Sequence, residues 1–143
     1  MEKDSNIGPF ARLRPNAHIG EAVHIGNFVE VKNSSLGKGT KAGHLAYIGD
    51  SDLGSNINIG CGVVFVNYDG KYKHRSIIED DAFIGSNANI VAPVHVKKEG
   101  FVAAGSTITE DVDSGELIIE RADQKHVKDY VEKKKQRDKN HKE

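Results

Sequence analysis

The sequence predicts an all-β solenoid, on three observations. Aliphatic residues recur every sixth position, small or β-branched residues follow four places later, and glycine often comes directly after the aliphatic. A fixed period marks a repeat architecture. Six residues is too short for a helical repeat and out of phase with a helix of 3.6 residues per turn. It suits a triangular coil built from three short, flat strands.

The elements follow in order. The aliphatic series runs Ile7, Leu13, Ile19, Ile25 and Val31. A five-residue step leads to Leu36, Ala42 and Ile48, and a second leads to Leu53, Ile59 and Phe65. Both short steps read as corners with one residue deleted. After an interruption the series resumes with Ile78, Ile84, Ile90, Val96, Val102 and Ile108. Residues such as Ala11, Val23, Ser35, Thr40, Ala46, Val63, Ala88 and Ser106 follow at i+4. Positions i and i+4 share a face of a strand, because side chains alternate with period two. The interior should therefore hold one aliphatic and one small residue per strand, with glycine at the tight corners. Three hexads make a coil of about eighteen residues, and about seventeen hexads make five to six coils, roughly 27 Å tall.

Length predicts one domain. Hydrophobic content of 37% and aromatic content of 6% suit a thin prism with a narrow aliphatic interior. A net charge of −1 argues against general nucleic-acid binding. No apolar run is long enough to cross a membrane and no signal peptide is evident, so a cytoplasmic location is expected. Cys61 is the single cysteine, which rules out an internal disulfide. The β-helical part is expected over 1–120, with an inserted loop at 66–77. The stretch 121–143 has no hexads and carries nine Lys or Arg against five Asp or Glu, so it reads as a basic tail.

The interruption, VNYDGKYKHRSI, should have a use, since insertions in repeats map to binding loops. Its Tyr68, Lys71, Tyr72, Lys73, His74 and Arg75 suit a cationic flap for a phosphorylated ligand.

The hexads resemble the hexapeptide-repeat acyltransferases, which implies a left-handed parallel β-helix. The handedness comes from that resemblance. IGPFARLRP, HIGNFVEVKNSSLGKGTKAGHLAYIGD, NIGCG, VNYDGKYKHRSIIEDDAFIGSN, VAPV and AAGSTITEDV resemble a narrower group. This is the acetyltransferase half of the bacterial bifunctional N-acetylglucosamine-1-phosphate uridyltransferase and glucosamine-1-phosphate N-acetyltransferase. The likeness spans Ile7 to about Arg121. It implies acetyl transfer from acetyl-CoA to the amine of glucosamine 1-phosphate, for UDP-N-acetylglucosamine and cell-wall synthesis. The nucleotidyltransferase half has no counterpart in the sequence, so uridyl transfer is expected to be absent.

The resemblance implies roles residue by residue. His44, in KAGHLAYIGD, takes the part of the catalytic base. Arg14, Lys32, Tyr47, Asn58 and Lys73 take the sugar phosphate, with Arg14 and Lys32 suited to its oxygens. Glu30 lies nearby, with a role in hydrogen-bonding the sugar or orienting the base left open. Cys61, Asn67, Tyr68, Ser86, Ala104 and Arg121 take acetyl-CoA, Cys61 through its backbone N–H. Acetyl-CoA is a co-substrate, and no metal or other cofactor is expected. The family forms homotrimers with sites between subunits, which suits a prism whose flat sides offer no deep pocket.

Three rival readings follow from the same residues. One is a hexapeptide acetyltransferase with another amino acceptor. Another is a non-catalytic trimerisation scaffold. The third is a γ-class carbonic anhydrase using His18, His24 and His44 on zinc.

Overall fold

The computed structural model describes residues 1–141. The chain winds a left-handed parallel β-helix of about six coils, followed by one helix, Tyr130–Lys139. Most strands are two or three residues long, because each prism side is only that wide.

Three faces stack from these strands. Face one runs Asn6, His24, Lys41, Asn58, Phe83, Phe101 and Leu117. Face two runs Arg12, Glu30, Tyr47, Val64, Asn89 and Thr107. Face three runs His18, Ser35, Asp52, Ile77 and His95. Two nine-residue strands, His24–Lys32 and Lys41–Gly49, cross the corner from face one to face two without a break. They pair in register, with Asn27 opposite His44 and Glu30 opposite Tyr47.

The register reads out the coil lengths. Ile7 pairs with Ile25 across a full coil, whereas Leu36 pairs with Leu53 across one residue fewer. The loop makes Leu53 pair with Ile78. The aliphatic series fills the prism, with Ile25, Val31, Ile48, Phe65, Ile84 and Ile90 fully buried. Each fully buried side chain of this kind contributes about 1.5–3 kcal/mol.

Two details of the predicted pattern change. Ser35 was expected inside, but Ser34 is buried and Ser35 faces out to Asp52. The deleted residue falls between Val31 and this serine, so the interior position moves up by one. The Ser34 hydroxyl donates to the Lys32 carbonyl at 2.8 Å and accepts from the Ser51 amide at 2.9 Å, which satisfies it in the core. Glycine was also expected at the corners. The left-handed corner residue lies three places after the aliphatic, or two at the shortened corners; it is Gly39, Gly62 and Gly105 in places, but elsewhere Asn, Asp or even Phe28 and Leu45. The glycines directly after the aliphatics let the coils stack closely. A Cβ on Gly26 would lie 1.6 Å from the Gly43 carbonyl oxygen.

No helix among the described residues is long and apolar enough to cross a membrane.

Candidate active site

The two deleted corners build the polar centre of the molecule. Asn33 and Asp50 occupy equivalent left-handed corner positions on successive coils. Asn67 follows on the next coil, where the chain leaves for the loop. The Asn33 Nδ2 donates to Asp50 Oδ1 at 2.7 Å, and the Asn67 Nδ2 donates to Asp50 Oδ2 at 2.7 Å. Asp50 is thus clasped between two amides. Its Oδ2 also lies 3.6 Å from Lys32 Nζ, with the carboxylate 7% exposed. Burial pushes the Asp50 carboxyl up, but the two amides and the charges of Lys32 and Lys73 outweigh burial and hold it below its ordinary value.

Cations gather beside this clasp. Arg14, Lys32 and Lys73 line one cavity of about 320 Å³ together with Pro15, Asn16, Asn33 and Asp50. Arg14 also lies 3.4 Å from Glu30. The Lys73 ammonium is held below its ordinary value by the close approach of Lys32, a second donor of like charge. Two amines facing one carboxylate leave room for a further anion. The Tyr47 hydroxyl joins the group, 3.2 Å from the Asn67 amide.

The loop carries Lys73 to this place. Tyr68 and Lys73 form an antiparallel bridge. Asp69 closes the turn, accepting from the Lys71 and Tyr72 amides at 2.8 and 2.6 Å and pairing with His74 Nε2 at 2.7 Å. Those hydrogen bonds, with the Tyr72 amide first, lower the Asp69 carboxyl to about 2. Tyr68 is half exposed, and its hydroxyl donates to the Gly70 carbonyl.

His44 stands at the other end of face two, on the corner shared with face one, and is exposed. The pairings of Ala42 with Ile59, Ile59 with Ile84 and Ile84 with Val102 extend two residues on. That extension stacks His44, Cys61, Ser86 and Ala104 on successive coils. At about 4.8 Å per coil the ladder is about 14 Å long. Arg121 lies at its foot, its side chain 3.8 Å from where a Cβ on Gly105 would sit. Between this ladder and the cationic cluster, face two carries a shallow cavity of about 520 Å³ lined by Phe28, Glu30, Leu45, Tyr47, Val64 and Asn87, among others.

One chain therefore brings Arg14, Lys32, Tyr47, Asn67 and Lys73 together at one corner. It sets His44, Cys61, Ser86, Ala104 and Arg121 along another. Asn58 lies on face one beneath Lys41, apart from the residues grouped with it in the sequence reading. Asn67, read as an acetyl-CoA residue, lies at the cationic corner, and Tyr68 follows it into the loop. His18, His24 and His44 stand on face three, face one and the corner between faces one and two. Among the described residues no three His, Cys, Asp or Glu groups gather as a metal site. Sequence reasoning missed Asp50. The signal was the even spacing of Asn33, Asp50 and Asn67, one shortened coil apart.

The chain is 56% identical over 136 residues to the bifunctional protein GlmU of Caldicellulosiruptor saccharolyticus, and 57% identical over 136 residues to that of Clostridioides difficile. The alignments take in 95% of this chain. It matches the C-terminal acetyltransferase part of GlmU. The chain spans 29% and 30% of the length of these two GlmU proteins. No family model matches. Among solved structures, it resembles the acetyltransferase domain of PglB from Neisseria gonorrhoeae in complex with acetyl coenzyme A, with a TM-score of 0.71 at 22% identity over 78% of this chain and 52% of that one. A mutant GDP-perosamine N-acetyltransferase from Caulobacter crescentus, bound to CoA and GDP-perosamine, gives 0.70 at 21% identity over 80% of this chain and 54% of that one. Both establish the fold.

Proposed function

We propose that this chain transfers the acetyl group of acetyl-CoA to the amine of glucosamine 1-phosphate, as a homotrimer. The observation that carries the reading is the convergence of Arg14, Lys32 and Lys73 on one cavity along the face that begins at His44. Guanidinium and ammonium groups suit a phosphate dianion. The GlmU relatives and the acetyl-CoA complex of the PglB domain support the donor and the acceptor.

The chemistry follows from the groups present. The sugar amine attacks the thioester carbonyl, a C–N bond forms, and the C–S bond breaks. The His44 imidazole takes the proton that the nitrogen sheds, and the imidazolium returns it to the departing thiolate, giving CoA-SH. Backbone N–H groups along the Cys61–Ala104 ladder suit the developing oxyanion and the pantetheine arm. Direct attack needs no acyl-enzyme, so Cys61 serves through its backbone. Asn58 and the His44 ladder lie away from the cationic corner within one chain. A site completed between neighbouring copies of a closed ring would unite them, and this is the reason to propose the trimer.

The test is thiol release from acetyl-CoA with glucosamine 1-phosphate, glucosamine and N-acetylglucosamine 1-phosphate in parallel. Release with glucosamine 1-phosphate alone supports the reading. Equal release with glucosamine, or none with any of them, overturns it.

A further inference from the structure

Asp50 has no role in the chemistry described, yet it is the most heavily partnered carboxylate beside the cationic cavity. It is nearly buried, with two amide hydrogen bonds of 2.7 Å and a lysine at 3.6 Å. We propose that Asp50 is a positioning residue that aims Lys32 into the acceptor's phosphate site. This rests on the reading of that site as the glucosamine 1-phosphate pocket.

The geometry gives the reason. Lysine has a long, flexible stem, and holding it in one place costs side-chain entropy. Lys32 and Lys73 also repel each other. A buried carboxylate between them and the backbone draws Lys32 to one position and leaves its remaining protons facing the cavity. The other oxygen edge is held by Asn33, so the carboxylate plane is fixed from both sides. Asn67, fixed by Asp50, in turn fixes the Tyr47 hydroxyl. One acid thereby holds Lys32 on the wall of the cavity and ties Asn67 and Tyr47 beside it.

Asparagine cannot replace it. Both Asp50 oxygens accept from amide donors, so either orientation of an Asn side chain sets NH₂ against NH₂. Asp50→Asn should raise the KM for glucosamine 1-phosphate about tenfold or more, with kcat and the acetyl-CoA KM changed by less than about threefold. In a Lys32→Ala background the same change should alter the acceptor KM by less than about twofold, because the group it acts through is gone. A merely structural role would lower the active fraction and leave both KM values alone. If Asp50→Asn does not fold, Asp50→Ser keeps one acceptor oxygen in the same corner and carries the same expectation.

Calorimetric binding of glucosamine 1-phosphate and of inorganic phosphate is measured alongside turnover. Unchanged acceptor KM and unchanged binding in the variant overturn the proposal, as does full additivity with Lys32→Ala. A wild-type chain that binds phosphate, more tightly than Asp50→Asn does, but does not turn over the acceptor defeats the activity and leaves the positioning role standing. A wild-type chain that binds neither ligand defeats both.

Discussion

Asp52 takes both forks of Arg75, at 2.8 and 2.9 Å, and so ties the exit of the loop to the coil it left. A third Arg75 nitrogen reaches the Asn33 carbonyl at 3.1 Å. The loop therefore leaves from the Asp50–Asn67 clasp and returns through the Asp52–Arg75 fork, with Lys73 held between. Both partners are nearly half exposed, so the fork contributes little to global stability, about 0.2–1 kcal/mol. Its effect should be local. Arg75→Ala should shift the melting temperature only slightly, while the acceptor KM rises about as far as in Lys73→Ala. Hydrogen exchange should show the His74 amide, bonded to the Asn67 carbonyl, losing protection. Protection at wild-type level in Arg75→Ala would mean that the hairpin orders itself.

Asp69 gives the loop a pH dependence of known sign. Its carboxyl is lowered to about 2 by the Tyr72 amide, the His74 ring and the Lys71 amide. A depressed folded value means the charged form is favoured in the ordered loop. The contribution is complete above the ordinary aspartate value and disappears as pH falls through about 2. An NMR titration of the Asp69 side-chain carbonyl should show a midpoint near 2, with protection of the Lys71 amide lost in parallel. A midpoint near 4 would show that these hydrogen bonds do not hold in solution.

Removing His44 separates chemistry from folding. The side chain is exposed and has no hydrogen-bond partner among the described residues, so His44→Ala should melt like the wild type. Turnover should fall by about two to four orders of magnitude. Turnover near the wild-type level would take the base role from His44.

Most of the fold was legible because a thin prism has one solution for its interior. The period fixed which residues point inward, and Ile25, Ile48, Ile84 and Ile90 are all fully buried. The exceptions arise where the period slips. A five-residue step does not say which of Ser34 or Ser35 moves inside, since both are small and polar. The register of the backbone decides it. The site was legible only as far as single positions. Arg14, Lys32, Tyr47 and Lys73 could be named, but not that Asn67 would join them. That grouping depends on a corner three coils deep, which no local pattern records. Asp50 went unread for the same reason. An aspartate after glycine looks like an ordinary turn residue until Asn33 and Asn67 are stacked on either side of it.

Two glycines on neighbouring coils give the last test, and they should part company. Gly26 and Gly43 each follow a buried aliphatic or alanine and look alike in sequence. A Cβ on Gly26 would lie 1.6 Å from the Gly43 carbonyl oxygen and 2.4 Å from its carbon, both backbone atoms that cannot move without shifting a coil. A Cβ on Gly43 would meet nothing within 4 Å. Gly26→Ala should therefore cost at least about 2 kcal/mol, by overpacking against a rigid neighbour. Gly43→Ala should cost less than about 0.5 kcal/mol in stability. Since Gly43 precedes His44, its variant should show any loss in turnover rather than in melting. Equal destabilisation by the two substitutions, measured by denaturant unfolding, would mean that coil stacking does not set the requirement for glycine at this position.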